Sequence, residues 1–564
     1  MKITHRASLL VAILSFVVPL AASVFVARAP SARAAAANRR AGAQTPRELR
    51  SRAPGPRSTG ASRQKFLRRI LPKLGSQVAF RKVARNLGVT EWRGKRLDRP
   101  STNSTAAALM SLDQPVDSFD GSQNQPSIAA NPTDESVVVV FAQNEANFLG
   151  VDVACSIYLS FDGGVTYSYV DDAPLLATQP TDTCAEPVVR FSPDGDVVYF
   201  NYLLIRDDAS SSDIVVSIAA GDDPTIILNG PIIVLPGGAD FVDKNWLGVH
   251  TFDDADTVAD GGGFVYVTGT VFFSNMTCGL LINRSSDYGA TWDFGTGLTL
   301  GGVASDCNAF FLHGARVAGG PGEQVLACYF NAEADGYSTE LPPPAPSNRF
   351  DITCVSSADR WATNSAPITA ANNVGYELNL FLGPNENYHR WFPGMFPSVA
   401  IDHRGNAHVV FAMDPNANKV DVESGNVQYM RSTKGALNPP YTTWLARVNL
   451  GTGPRAQGFP NVVAQRSNLT TNAYIYVAYY DHYRSLAAAP NRLYDVRYRR
   501  SINGGGTFTP PITVTDVVSF SDNEFVGDYF DTTTTMRRFH LAWTDRGDKT
   551  DIFDFEDDVF ADRY

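Results

Sequence analysis

From about residue 116 onward, short apolar runs alternate with turns rich in glycine, proline, asparagine and aspartate. A typical unit has an apolar run at Glu186–Arg190, a turn at Pro193–Asp196 and a second run at Val197–Phe200. Runs of this length between such turn residues predict β-strands. No long helical periodicity follows residue 100, so we expect an all-β fold.

The same unit of three or four strands recurs roughly every 60 residues. Seven copies begin near residues 125, 186, 245, 308, 396, 459 and 523. A small sheet of this kind must stack on its neighbours to bury both faces, which favours a β-propeller of four-stranded blades. Seven blades is the favoured number, with six as the alternative if one unit is a split blade. A pair of β-sandwiches would not need this repeat. We expect Asp551–Phe555 or a strand near Ser118 to complete the first or last blade.

A second phrase follows the third strand of several units, and its clearest copies are Ser160–Tyr167, Ser285–Trp292 and Ser501–Phe508. Each copy places Asp or Asn and Gly before an aromatic residue, as a tight hairpin requires. The phrase resembles the Asp-box, the BNR repeat of the sialidase superfamily and other secreted β-propellers. The resemblance implies a propeller with these turns on the outer edge of the blades, and sialidases themselves have six blades. Degenerate copies occur at Ile214–Ile218, Ser356–Asp359 and Ser432–Gly435.

Residues 1–34 have the pattern of a secretory signal peptide. Lys2 and Arg6 precede the apolar stretch Ala7–Val26, and Ala32–Ala34 forms an A-x-A cleavage site. The alternative is an uncleaved membrane anchor, because the apolar stretch is nearly long enough to span a bilayer. We expect secretion to the extracellular space, with no membrane span after cleavage.

Residues 35–115 form a basic segment rich in Ala, Arg, Ser and Pro. We predict a disordered linker or propeptide. Its amphipathic piece Gln64–Leu87 could instead contact an anionic surface or the acidic domain that follows. The remaining residues, 116–564, are assigned to the propeller.

Charge is unevenly distributed along the 564 residues. Residues 39–100 carry 18 Lys and Arg against 3 acidic residues, although the formal net charge of the whole chain is -11. The predicted propeller is therefore acidic, which argues against nucleic-acid binding. A hydrophobic content of 44% is enough for a large core, and we expect a monomer.

Six cysteines fall within the predicted propeller, an even number that favours disulfides in an exported chain. Fifteen connectivities are possible. We favour sequential pairing, because it keeps each bridge within or between neighbouring hairpins: Cys155–Cys184, Cys278–Cys307 and Cys328–Cys354. No C-x-x-C pair or Cys/His cluster indicates zinc.

The starts of the first strands carry the candidate chemistry, because in a propeller these strands line the central channel. Alignment of the repeats places mostly polar residues at one position, namely Gln123, Asp243, Asp306, Gln457 and Asp522. Two residues later come Gln125, Glu186, Asn245, Asn308 and Glu524. Such a ring could bind a cation, hold a sugar by its hydroxyls or supply paired carboxylates for glycoside hydrolysis. The alternative is that these residues cap strand starts and contact channel water.

Two phrases in this ring, Asp243–Trp246 and Glu524–Tyr529, resemble the D-K-x-W and G-D-Y phrases of bacterial sialidase-like BNR proteins. The candidate catalytic residues are Asp243, Asp528, Glu186, Asp306, Asp522, Glu524 and Tyr529. The candidate substrate-binding residues are Gln125, Asn245, Trp246, Arg190 and Asn308. Trp246 could stack on a sugar or be a core residue, and Lys244 could pair with Asp243.

The chain also departs from the sialidase pattern. It lacks the F/Y-R-I-P phrase, whose place is taken by Asn124–Ser127, and no pattern assigns its arginines to one face. The arginines available are Arg190, Arg316, Arg404 and Arg455. The resemblance therefore supports the scaffold more than sialidase activity. We expect a glycan or glycoconjugate partner and a glycoside hydrolase, with a non-catalytic carbohydrate- or protein-binding module as the alternative. The sequence requires no cofactor, and Ca²⁺ binding is left open.

Overall fold

A computed structural model describes most of the chain after residue 113. The described residues are 91–92, 95–96, 114–116, 122–145, 153–177, 182–205, 212–238, 240–250, 263–273, 277–304, 312–331, 349–375, 396–413, 426–432, 441–451, 456–466, 472–482, 493–516, 519–520, 529–545 and 558–564. The predicted signal peptide and nearly all of the basic segment lie outside them. Within these ranges the secondary structure is entirely β, with no helix, and hence no helix long and apolar enough to cross a membrane.

The strands form seven antiparallel sheets of four positions each, which we number as blades 1 to 7. The first described strands are β1 (Glu91–Trp92) and β2 (Lys95–Arg96), which form a hairpin and are followed by β3 (Gln114–Pro115). Blade 1 contains β4 (Ser122–Ala130), β5 (Val138–Glu145), β6 (Val153–Ser160) and β7 (Ser168–Asp172). Blade 2 contains β8 (Thr183–Phe191), β9 (Val197–Ile205), β10 (Ser212–Ala220) and β11 (Ile227–Leu235). Blade 3 contains β12 (Phe241–Val249), β13 (Val265–Phe272), β14 (Cys278–Ser285) and β15 (Leu298–Ala304).

The remaining blades follow the same order along the chain. Blade 4 contains β16 (Leu312–Gly319), β17 (Val325–Asn331), β18 (Arg349–Ser357) and β19 (Ile368–Gly375). Blade 5 contains β20 (Ser398–Ile401), β21 (Ala407–Met413), β22 (Asn426–Ser432) and β23 (Val448–Asn449). Blade 6 contains β24 (Ala456–Gln465), β25 (Tyr474–His482) and β26 (Leu493–Ser501), whose outer edge pairs with both β27 (Ile512–Thr513) and β28 (Ser519–Phe520). Blade 7 contains β29 (Asp531–Thr534), β30 (Phe539–Asp545), β31 (Asp558–Arg563) and β3.

The first strands of the blades contact one another in cyclic order, and β29 of blade 7 contacts β4 of blade 1. This arrangement is a closed seven-bladed propeller, so the predicted fold class and the favoured blade count are confirmed. Blade 4 begins at Leu312, four residues beyond the predicted start at Asn308. Blade 7 begins at Asp531, several residues beyond the predicted start near residue 523.

Both ends of the described chain complete blade 7. Gln114 and Pro115 of β3 pair with Ala561 and Phe560 of β31, so β3 supplies the outermost strand of blade 7. The sequence predicted closing strands at Asp551–Phe555 or near Ser118. The strands that close blade 7 lie a few residues away from these segments, at Asp558–Arg563 and Gln114–Pro115. Apolar runs of two to six residues give too weak a signal to fix a closing strand.

Two of the predicted disulfides are present. Cys155–Cys184 joins the third strand of blade 1 to the first strand of blade 2. Cys328–Cys354 joins directly paired residues of β17 and β18 within blade 4. Cys278 is also disulfide-bonded, whereas Cys307 lies outside the described residues. Sequential pairing is thus confirmed for two bridges.

Four turns between the third and fourth strands share one hydrogen-bond pattern, and we call them the Ser-x-Asp turns. In blade 1, Ser160 Oγ accepts from the Gly164 amide, and Asp162 accepts from the amide and hydroxyl of Thr166. Blades 3 and 4 repeat the pattern around Asp287 and Asp359. In blade 6, Asn503 Oδ1 accepts from the Thr507 amide, while Asn503 Nδ2 donates to the Thr507 hydroxyl. The copy at Asp359 looked degenerate in sequence because Trp361 replaces glycine, yet Trp361 adopts a left-handed φ of 67°. The turns occupy the outer half of each blade.

Candidate functional site

Five first strands contain a β-bulge at the same point. The register with the second strand shifts between Asn124 and Ser127 and at the four equivalent places. The bulged residue has a left-handed backbone in every case: Gln125 (φ 52°), Glu186 (φ 53°), Lys244 (φ 50°), Gly314 (φ 61°) and Phe459 (φ 51°). Four of these residues are not glycine, and each such conformation costs on the order of 1–3 kcal/mol. Repeated strain of this kind often accompanies a functional position, because bulges re-aim side chains.

The bulges correct the alignment made from sequence. Gln125 and Glu186 occupy equivalent positions, as predicted, but in blade 3 the equivalent residue is Lys244 instead of Asn245. In blade 4 it is Gly314 instead of Asn308. Asn245 was aligned with Gln125 because the two residues are of similar type. In the paired strands, however, Asn245 lies one residue beyond the position that is equivalent to Gln125. Asp306, Asn308, Asp522, Glu524 and Asp528 lie outside the described residues, so their predicted roles stay predictions.

Glu186 is the best-defined candidate carboxylate. Lys244 Nζ forms an ion pair with Glu186 Oε1, and Gln125 Nε2 donates to the same oxygen at 3.1 Å. Glu186 Oε2 is buried and has no hydrogen-bond partner among the residues described. The carboxylate is thus held by one oxygen and leaves the other available to a ligand. Lys244 pairs with Glu186, and the pairing of Lys244 with Asp243 that the sequence suggested stays a prediction.

Asn245 connects two blades. Its Nδ2 donates to the Glu186 backbone carbonyl at 2.9 Å and to Asn201 Oδ1 at 2.7 Å. The residue is buried. These contacts hold blade 3 against blade 2 at the height of Glu186, so Asn245 supports the position of Glu186 in this structure.

Trp246 lies at the centre of an aromatic and cationic cluster. The guanidinium carbon of Arg316 is 3.9 Å from the Trp246 ring centroid, and that of Arg190 is 5.0 Å away. Tyr529 meets the same ring edge-on, with 5.7 Å between ring centroids. Only 6% of Trp246 is exposed. Guanidinium groups contact the indole where a sugar would stack. Of the two roles that the sequence left open for Trp246, the structure therefore shows a core residue.

Arg316 is buried and lacks a conventional partner. Its relative exposure is 7%, and Nη1 has no hydrogen-bond acceptor in the described part of the chain. Burial lowers the Arg316 pKa to about 10, and the neighbouring Arg190 lowers it as well, whereas Asp531, Tyr529 and Glu186 raise it. The guanidinium remains protonated at neutral pH. A positive charge is therefore held among the first strands.

Asp531 connects four blades around this charge. Arg190 Nη1 of blade 2 donates to Asp531 Oδ2 at 2.5 Å, and Ser127 Oγ of blade 1 donates to the same oxygen at 2.7 Å. Asn461 Nδ2 of blade 6 donates to Asp531 Oδ1 at 3.2 Å. The sequence alignment missed Asp531 because it anchored the last repeat on Glu524. If Tyr529 is aligned with Phe396 and Phe459 of the two preceding repeats, Asp531 aligns with Ser398 and Asn461, two residues after each aromatic.

Tyr529 has its hydroxyl engaged. The hydroxyl donates to the Pro187 carbonyl of blade 2 at 2.8 Å, and 4% of the residue is exposed. Among the four arginines noted from sequence, Arg190 and Arg316 converge here. Arg404 lies in the turn after β20 and donates to Asn472, and Arg455 is outside the described residues.

Asp243 is more accessible than the other described candidates and lies near a histidine that sequence reasoning did not select. The side chain of Asp243 is 26% exposed, and its Oδ2 is 4.0 Å from His313 Nε2. Burial, together with the nearby Lys244 charge, lowers the His313 pKa well below its usual value. His313 is therefore neutral at physiological pH.

A cavity of about 370 Å³ runs along the first strands of all seven blades. Its lining includes Arg190, Trp246, Asn461 and Asp531 but not Arg316 or Tyr529, so the cavity reaches one side of the central cluster formed by Trp246, Arg190, Arg316, Tyr529 and Asp531. Within the described residues, no three His, Cys, Asp or Glu side chains are grouped as metal ligands. Calcium binding stays a prediction.

No protein-family profile matches the sequence, and no curated protein matches it. Among solved structures, a Hadza microbial sialidase, Hz136, aligns over 76% of this chain and 74% of its own, with 13% identity and a TM-score of 0.40. The GH93 α-L-arabinofuranosidase of Fusarium graminearum aligns over 81% and 97%, with 11% identity and a TM-score of 0.38. A PL25 ulvan lyase aligns over 78% and 94%, with 10% identity and a TM-score of 0.44. At these values the similarity transfers no activity, so function is argued from the site.

Proposed function

We propose that this protein is an exported, glycan-active propeller that binds an acidic sugar at the central cluster and hydrolyses a glycosidic bond there. The observation that carries the proposal is Arg316, a buried guanidinium with a nitrogen that has no acceptor in the described chain. A charged group removed from water without hydrogen bonds is costly, and an anionic ligand would relieve that cost.

A sugar carboxylate fits the chemistry of this position. Guanidinium groups bind carboxylates through two parallel hydrogen bonds, which fix orientation as well as charge. Arg190 is largely satisfied by Asp531, so it contributes positive potential while Arg316 supplies the free donor. The stack of Arg316 on Trp246 would hold the guanidinium plane in place.

Glu186 and Asp243 are the described carboxylates proposed for catalysis. Glu186 forms an ion pair with Lys244 and is assigned the role of base or nucleophile. Asp243 is partly exposed beside a neutral histidine and is assigned the role of general acid. Two carboxyl groups in these complementary roles are the usual requirement for glycoside hydrolysis. Asp306, Asp522, Glu524 and Asp528 remain further candidates from sequence.

A non-catalytic binding module is the alternative, and two contacts favour it. One oxygen of Glu186 is occupied by Lys244 and Gln125, and the Tyr529 hydroxyl is bonded to a backbone carbonyl. A site whose reactive groups are partly occupied in this way could bind a glycan without cleaving it.

Export is proposed from the signal-like residues 1–34 together with the disulfides. Disulfides persist mainly in oxidising compartments, and two bridges are formed between described cysteines. We propose a monomer whose partner is a glycan or glycoconjugate.

The test uses the full chain and a panel of 4-methylumbelliferyl glycosides that includes a sialoside, a glucuronide and neutral sugars, with and without a chelator. Turnover of an acidic glycoside is the expected result. Binding of acidic oligosaccharides on a glycan array without turnover would favour the binding module. Turnover confined to neutral sugars, or silence in both assays, would contradict the proposal.

Arg316→Met is the matched variant, and Arg404→Met, which removes an exposed arginine in a turn, is its control. We expect Arg316→Met to weaken binding of acidic sugars at least tenfold while Arg404→Met leaves it unchanged. Equal affinity in both variants would exclude Arg316 as the anion-binding group.

A further inference from the structure

We propose that His313 is a positioning residue for Asp243 and that Thr270 fixes its tautomer. The inference rests on the proposed function, in which Asp243 is one of the two carboxylates. It is carried by the contacts of His313 with its neighbours in blades 3, 4 and 5.

His313 and Asp243 hold equivalent places in adjacent blades. Each residue directly precedes the bulge of its first strand, and the strands β12 and β16 that carry them contact each other. The His313 ring is confined by Phe272 and Phe396, with ring centroids 5.8 and 5.0 Å away. Only 4% of the residue is exposed. The imidazole therefore has one orientation available.

The groups that face the two imidazole nitrogens, Thr270 at Nδ1 and Asp243 at Nε2, determine which nitrogen carries the proton. Thr270 Oγ1 lies 2.8 Å from His313 Nδ1 and accepts from the Gly314 amide at 3.3 Å. Thr270 is fully buried. The amide takes one of the two lone pairs of the hydroxyl and leaves its proton free for Nδ1, whereas Nε2 faces the Asp243 carboxylate, which can only accept. Nδ1 is therefore assigned as the acceptor. The neutral ring consequently carries its proton on Nε2.

The protonated Nε2 lies 4.0 Å from Asp243 Oδ2. Since the Asp243 side chain is partly exposed, a small rotation closes this contact to hydrogen-bond length. Catalytic contacts often tighten in this way when substrate binds. Among the described residues, Asp243 and Lys244 of β12 are charged groups near His313, and burial together with the Lys244 charge keeps the ring neutral. His313 thus supplies a fixed dipole that orients Asp243 and favours its ionised form.

The first test needs no substrate. Histidines of the full chain are labelled with ¹⁵N, and the protonation of each His313 nitrogen is read by NMR in the wild type and in Thr270→Val, which keeps shape and removes the hydroxyl. The Asp243 carboxyl is titrated by ¹³C NMR in the same samples. We expect a protonated Nε2 and a bare Nδ1 in the wild type, and a higher Asp243 pKa in the variant. A protonated Nδ1 in the wild type, or an unchanged Asp243 pKa in Thr270→Val, would overturn the inference.

The second test compares His313→Gln, which can place an amide donor near the position of Nε2, with His313→Leu, which cannot. With the best substrate of the glycoside panel, we expect kcat to fall about tenfold in His313→Leu, as for loss of a 1.4 kcal/mol interaction. The alkaline limb of its pH profile, which the pKa of the general acid sets, should shift upward, and His313→Gln should recover most of the loss. Equal defects in the two variants would contradict the positioning role. If the wild type turns over no substrate, the proposed function fails and the NMR test still decides the tautomer and the effect on Asp243.

Discussion

Arg284, at the end of the third strand of blade 3, donates from Nη1 to the carbonyl of Arg360 in the Ser-x-Asp turn of blade 4 at 2.7 Å. The same relationship recurs around the ring. Arg431 of blade 5 donates to Gly504 in the turn of blade 6, also at 2.7 Å. Arg563 of blade 7 donates to Gly163 in the turn of blade 1 at 2.7 Å. The turns therefore act as docking points between blades.

Arg431→Ala isolates this contact, because Gly504 is its hydrogen-bond partner across the blades. We expect the free energy of unfolding to fall by about 1–2 kcal/mol, as for loss of a charge-assisted hydrogen bond. Chemical denaturation of the full chain measures the change, with Arg537→Ala as the exposed control. Equal stability of the two variants would show that the interblade bond contributes nothing measurable.

Asp562 makes stability depend on pH. Burial raises the pKa of this carboxyl to about 7, although hydrogen bonds with Tyr564 and the Arg563 amide oppose the shift. The unfolded chain loses this proton near pH 4 and the folded chain only near pH 7, so stability falls as pH rises between these values. We expect Asp562→Asn to raise the melting temperature above that of the wild type at pH 8, with the gain disappearing near pH 4.

Melting curves of both proteins at pH 4, 6 and 8 check this pH dependence. A gain of the same size at every pH would mean that the variant acts through packing. A loss at pH 8 would contradict the raised pKa.

The two bridges should contribute similarly to stability because they close loops of similar length, with sequence separations of 29 and 26. Removal of either pair by double substitution to Ala should cost about 2–4 kcal/mol. Denaturation of each double variant measures the cost. In denatured, unreduced wild-type protein we expect no free thiols. Two or more free thiols in a colorimetric titration would exclude the three-bridge arrangement predicted from sequence.

Asp243→Asn tests the catalytic assignment. We expect turnover to be lost while the melting temperature stays nearly unchanged, because the side chain is partly exposed. Glu186→Gln is the informative comparison, since it also leaves Lys244 without its ion-pair partner and should lower stability as well as turnover. If Asp243→Asn instead lowers stability strongly and loses activity only in proportion to the fraction of protein that is unfolded, Asp243 has a structural role.

The seven repeats and their turn chemistry were determined by the sequence, because strands and tight turns are set by neighbouring residues. Alternating apolar runs indicate the blades, and Ser160–Tyr167 indicates the first Ser-x-Asp turn. The spacing of the cysteines also predicted the two bridges that are present, Cys155–Cys184 and Cys328–Cys354.

Tertiary structure alone decided the site. A bulge adds one residue to a strand without changing its apolar pattern, so only the paired backbone shows that Lys244 stands where Asn245 was expected. Arg190 of blade 2 and Asp531 of blade 7 meet across 341 residues of sequence, because closure of the ring gathers the first strands of the blades around one centre. Arg316 joins them from blade 4 through contacts with Trp246 and Tyr529. Convergence of this kind depends on how the blades close and not on any local pattern along the chain.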